Sequence, residues 1–148
     1  MYNRTFRGKV FHYGNDCGWV YGDLHHAYNG SFFTQISNID DEKAETNTYD
    51  VNAHSVSQST GIKDFNGNQI FEGDIVKHKF RRIWQTKEHT SIVVWCQGFS
   101  CYYLNDGVSN HRMRDDMVYE VIGNHFDNKD LSPIKKKPVI CDVKDLPF

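Results

Sequence analysis

The chain has 148 residues, a length that suits one domain or two small ones and excludes a large multidomain enzyme. Its 17 Lys plus Arg against 19 Asp plus Glu leave a formal net charge of -2, without the basic excess of a dedicated nucleic-acid binder, although local patches remain open. With 39% hydrophobic residues, including 10 Phe, 8 Tyr and 3 Trp, the chain can build a core and is excluded from the disordered class. The 12 Val and 10 Ile far outnumber the 4 Leu and 3 Ala, and β-branched residues fit a pleated sheet better than a helix. The expectation is an all-β protein with little helix, its turns supplied by 11 Gly and 12 Asn.

Residues Phe6 to Tyr13 read as a strand, and Gly14-Asn15-Asp16-Cys17-Gly18 as a turn into a second strand, Trp19 to Leu24. A further turn at Tyr28-Asn29-Gly30-Ser31 precedes Phe32 to Ile36, completing a meander. Residues 40–50 carry Asp40, Asp41, Glu42, Glu45 and Asp50 against Lys43 alone, which predicts a solvated acidic loop or at most one helical turn. A weak strand, Tyr49 to Val56, follows. Asn66-Gly67 predicts a type I′ hairpin closed by Ile70-Phe71, and Glu72-Gly73-Asp74 a turn into the strand Ile75 to Arg81. Thr90 to Gln97 and Phe99 to Leu104 form another hairpin, and Met117 to Ile122 a last strand before Gly123-Asn124. The organisation expected is two small packed β-units: an N-terminal meander over 1–57 and an SH3-like small barrel over 58–126. A polar tail over 127–148 holds Lys135-Lys136-Lys137 between two prolines.

Several separated motifs together resemble the YopX family of bacteriophage and prophage proteins. They are Phe6-Arg7-Gly8-Lys9, Trp19-Val20-Tyr21-Gly22-Asp23-Leu24, and Val56 to Asp64 with Asn66-Gly67. Further along come Ile70-Phe71-Glu72-Gly73-Asp74-Ile75-Val76, Val93-Val94-Trp95 and Glu120-Val121-Ile122-Gly123-Asn124. They run in the family's order from Phe6 to about Asn128, while Arg81 to Thr90 and the acidic stretch are peculiar to this chain. The resemblance implies an all-β, phage-derived cytoplasmic protein and brings no catalytic residues with it. The cytoplasm also suits the sequence itself, in which no stretch approaches the roughly 18 apolar residues of a membrane span.

Chemistry has few footholds. Asp64, Glu72 and Asp74 cluster around two turns and could serve acid-base catalysis, yet Asp and Asn also form turns by bonding the backbone. His25 and His26 alternate across a strand, and His12, His54, His78, His89, His111 and His125 lack a ligand-like spacing, so neither metal nor cofactor is expected. Cys96 and Cys101 would face each other across a hairpin turned at Gly98-Phe99, with reduced, buried thiols the default.

Two surfaces remain. Along the strand after Asp74, Lys77, Lys79 and Arg81 fall on one face and Val76, His78 and Phe80 on the other, followed by Arg82, Trp84 and Lys87. From Lys77 to Lys87 there is no acid, and such a strand with an aromatic can hold nucleic acid or protect a sheet edge. Trp95, Phe99, Tyr102 and Tyr103 gather aromatics of the kind enriched at protein interfaces. The sequence therefore favours a non-enzymatic module that binds a host or phage protein, with nucleic acid as the alternative and a carboxylate- or metal-dependent enzyme third. Exposed strand edges also admit a homo-oligomer.

Overall fold

A computed structural model describes residues 5–12, 15–30, 32–81 and 87–134. The chain divides into two compact units, Met1–Gly61 and Ile62–Phe148, with the division four residues beyond the Ser57 boundary read from sequence.

The first unit carries five strands of a six-stranded sheet, paired antiparallel in the order β4-β3-β2-β1-β5. They are β1 (Phe6–His12), β2 (Asn15–Tyr28), β3 (Phe32–Asp40), β4 (Glu45–Asp50) and β5 (Ser57–Lys63). The dense turn signal after Tyr13 is used more tightly than its composition implies. Asn15 already pairs with His12, and a register shift between Lys9 and Phe11 absorbs the mismatch. Gly22 carries a motif position for a steric reason: a Cβ there would lie 2.1 Å from the Ser37 carbonyl oxygen. Ile36 and Val51 are buried, and Arg7 and Lys9 bury their stems with the guanidinium 4.7 Å and the ammonium 5.7 Å from the Trp19 ring centre.

The acidic loop expected over 40–50 is instead a hairpin. Asp40 pairs with Glu45, and β4 runs alongside β3 to Asp50. Thr46, Thr48 and Tyr49 suit a strand, and at the outer edge of a sheet the carboxylates stay in water, so charge there marks exposure rather than loop. The weak strand expected over 49–56 is broken by a 3-10 turn, Ala53–Ser55, capped by the Asn52 side chain.

The second unit opens with the hairpin that joins β5 to β6 (Gln69–Phe71). Its main sheet has the order β10-β9-β8-β7-β11, all antiparallel: β7 (Asp74–Phe80), β8 (His89–Cys96), β9 (Cys101–Asn105), β10 (Asn110–Arg112) and β11 (Met117–Asn124). The meander β7 to β10 and the return of β11 to β7 do not close into the barrel expected, because among the described residues β10 and β11 remain edges. β10 has three residues, and the link beyond it spends its backbone elsewhere: Met113 N donates to Tyr102 O, Arg114 N to Tyr119 Oη, and Arg81 N to Asp116 O. Ile70, Val76, Val93, Leu104, Met117 and Tyr119 form the core on one face of this unit, and Ile92, Val94, Cys96 and Tyr103 a second cluster on the other. Burial on both faces explains the unbroken apolar run Ile92-Val93-Val94.

The β5–β6 turn differs from the type I′ form expected, which needs positive φ at both Asn66 and Gly67. Only Gly67 is left-handed, at φ 83°. The Asp64 side chain does the rest. Its Oδ1 accepts from Asn66 N at 2.9 Å and Asn68 N at 2.8 Å, while Oδ2 accepts from Val121 N at 3.2 Å on β11. Burial alone would raise this carboxyl, but these donors, Val121 first, hold it below its ordinary value.

Two outcomes follow from these contacts. Asp64→Ala strands backbone donors on two elements and is expected to lower unfolding stability by about 3 kcal/mol, measured by denaturant unfolding. Cys96 and Cys101 are direct cross-strand partners, and opposed strand positions lie about 4.5 to 5.5 Å apart at Cα, within disulfide reach. A mild oxidant should link the two, seen by mass spectrometry as one disulfide-bonded peptide.

Candidate functional site

The basic strand forms with the alternation expected. Lys79 and Arg81 are exposed, Lys77 half-buried, and Val76 and His78 buried on the opposite face. Its outer face is less cationic than the linear reading implied: Lys77 Nζ lies 3.5 Å from Glu88, the residue after the acid-free run, and Glu120 on β11 stands opposite Lys77 in register. Lys87 is exposed, and Arg82 and Trp84 lie outside the described residues.

The four aromatics divide between the two faces. Trp95 and Tyr102 are cross-strand partners with ring centres 4.9 Å apart, and Trp95 keeps 36% of its surface exposed. Phe99 packs at 6.5 Å on Tyr103, which is buried in the second apolar cluster. They do not make one patch, because Tyr102 and Tyr103 are neighbours on a strand and point in opposite directions.

The side chain that the basic strand turns inward matters most. His78 is 3% exposed, stands in register with His89, and stacks on it with ring centres 5.7 Å apart and planes 22° apart. Its Nε2 lies 2.8 Å from Ser91 Oγ, and Ser91 is fully buried. His78 and His89 line a cavity of about 400 Å³, within the roughly 300 to 1,000 Å³ of small-ligand sites. His111 and Asn110 of β10 line it too, with Phe80 and the cations Lys79, Arg112 and Arg114. Three histidines thus converge from three strands without any local spacing to announce them. A hairpin register pairing position 78 with 89 is the signal that could have found the first two.

Among the described residues no carboxylate lines the cavity. Asp106, close enough to act on His78, is consumed in its own turn, where it accepts from Val108 N at 2.8 Å and Ser109 N at 2.7 Å. Arg114 arrives already paired, Nε and Nη2 each donating at 2.9 Å to Asp116. Arg112 is exposed, and the Tyr103 hydroxyl beside it raises its pKa further. Neither Asp64 nor Asp74 reaches the site, since Asp64 holds the β5–β6 turn and Asp74 Oδ2 accepts from Phe71 N. Glu72, raised by burial despite a bond from Trp95 N, also lies outside it. Among the described residues no three His, Cys, Asp or Glu side chains are arranged to hold a metal.

Burial, with the neighbouring His89 and His111, lowers the His78 pKa to about 4. The unfolded chain, near pH 6.5 at this residue, binds the proton more readily, so stability is fully present above about pH 6.5 and declines toward pH 4. Over that window the loss is roughly 3 kcal/mol. Thermal melts across it should lose much of their pH slope in His78→Gln.

No curated protein matches the chain. The family model described as YopX protein matches residues 6–131, a span that contains both units' described strands together with His78, His89, Asn110 and Arg112. The chain therefore belongs to the YopX family.

Proposed function

We propose that this YopX protein is a non-enzymatic module that binds single-stranded nucleic acid through the cavity of its second unit, acting in the cytoplasm of a phage-carrying bacterium. The observation that carries the reading is the composition of the cavity wall: aromatic and imidazole rings beside Lys79 and Arg112, with no carboxylate among the described residues that line it. A phosphodiester chain asks for cations, and unstacked bases ask for flat rings. A net charge of -2 leaves such binding weak and salt-sensitive, and confined to where the positive charges gather. A protein partner is the second reading, favoured by the exposed Trp95, whose ring meets Tyr102 edge-on.

Fluorescence anisotropy with a labelled oligothymidylate and a duplex of equal length is the test. The single strand should bind more tightly, with affinity falling as salt rises. Lys79→Ala and Arg112→Ala should each weaken it and reduce the salt slope by about 0.7. No binding at low salt would overturn the reading, and a salt-insensitive protein complex lost in Trp95→Ala would select the second.

A further inference from the structure

On the face of the second unit's main sheet turned away from His78, the strand register gathers two cysteines and a guanidinium. Cys96 stands opposite Cys101, Val94 opposite Tyr103, and Tyr103 opposite Arg112. Cys101 and Tyr103 are two residues apart on β9, so all of these side chains share one face.

The two sulfurs differ in their setting. Cys96 is fully buried in the second apolar cluster, and Cys101 is half-buried at its margin. The exposed Arg112 guanidinium lies beside the Tyr103 hydroxyl and the Cys101 sulfur, and Tyr103 first, then Cys101, raise its pKa. Reactive thiols sit where water can enter and a cation stands near, whereas thiols sealed in apolar surroundings are inert. Cys101 meets both conditions, and Cys96 stands across the strand pair within disulfide reach.

We propose that Cys101 is an oxidation site for hydroperoxides, with Cys96 as the thiol that resolves it and Arg112 as the residue that steers the oxidant. The Cys101 thiolate attacks the terminal oxygen of the hydroperoxide. The O–O bond breaks, and the departing alkoxide takes up the proton that Cys101 gave to water and leaves as the alcohol. Cys101 is then a sulfenic acid. The Cys96 sulfur attacks it, an S–S bond forms, and the hydroxyl leaves with the Cys96 proton as water. Two thiols lose two electrons, and one hydroperoxide is reduced to an alcohol and water, so the protein is modified once and there is no turnover. The Arg112 N–H groups donate to the peroxide oxygens, whose negative charge grows as their bond breaks. Nucleic acid takes no part in this chemistry.

The test exposes the reduced full chain to hydrogen peroxide with dimedone, a trap for sulfenic acid, and maps the products by mass spectrometry. In Cys96→Ala the trap should label Cys101, and in wild type the Cys96–Cys101 disulfide should form in competition with the label. Arg112→Ala, at an exposed position of the three-residue strand β10, should slow labelling of Cys101 in the Cys96→Ala background about tenfold, and Arg112→Lys should restore most of the rate. Cys101→Ala should leave Cys96 unlabelled. Labelling of Cys96 in Cys101→Ala as fast as that of Cys101 in Cys96→Ala would overturn the proposal. So would a Cys101 rate that Arg112→Ala leaves unchanged, or a peroxide-treated wild type with both thiols intact.

Discussion

The register between β7 and β8 is the constraint on which the second unit depends. With His78 opposite His89 and Val76 opposite Ser91, each alternation of side chains is decided at once. Val76, His78 and Phe80 face inward, and Lys77 and Lys79 face out. A slip of one residue would bury the lysines and expose the core, a cost that no local preference could offset. The same register brings Ser91 Oγ to His78 Nε2, so the packing of the sheet and the chemistry of its cavity are a single arrangement.

Around that sheet, polar side chains take over work that backbone pairing leaves undone. Asp64 ties the β5–β6 turn to β11, and Asp106 closes the turn between β9 and β10. Tyr119 Oη accepts from Arg114 N and donates to Arg114 O, fixing the link that follows β10. Both carboxylates are thereby used where they stand, and among the described residues the charge-bearing side chains of the cavity wall are those of histidine, arginine and lysine. The cationic character of the site owes as much to where the acids are occupied as to where the bases lie.

Much of the fold was legible in the residues. The excess of Val and Ile over Leu and Ala announced a β protein, and the alternation from Val76 to Arg81 announced which side chains face the core. The motifs of the YopX family were legible as well, and two have a physical basis in the structure, with Gly22 under the Ser37 carbonyl and Asp64 across to Val121. The acidic stretch misled because net charge reports solvation, and an edge strand is as solvated as a loop. The open sheet was equally beyond composition, since closure turns on whether a three-residue strand meets a distant edge.

What the sequence by itself determined was the class of structure and the local direction of each side chain, because both depend on neighbours one or two residues away. The convergence of His78, His89 and His111 was decided by tertiary structure alone. These residues share no motif and are joined only by strand register and the course of the intervening turns. The basic strand shows the same division: its five cations were plain in the sequence, but the pairing of Lys77 with Glu88 and the place of Glu120 opposite it were not, because the strength of a charge depends on what stands beside it in space.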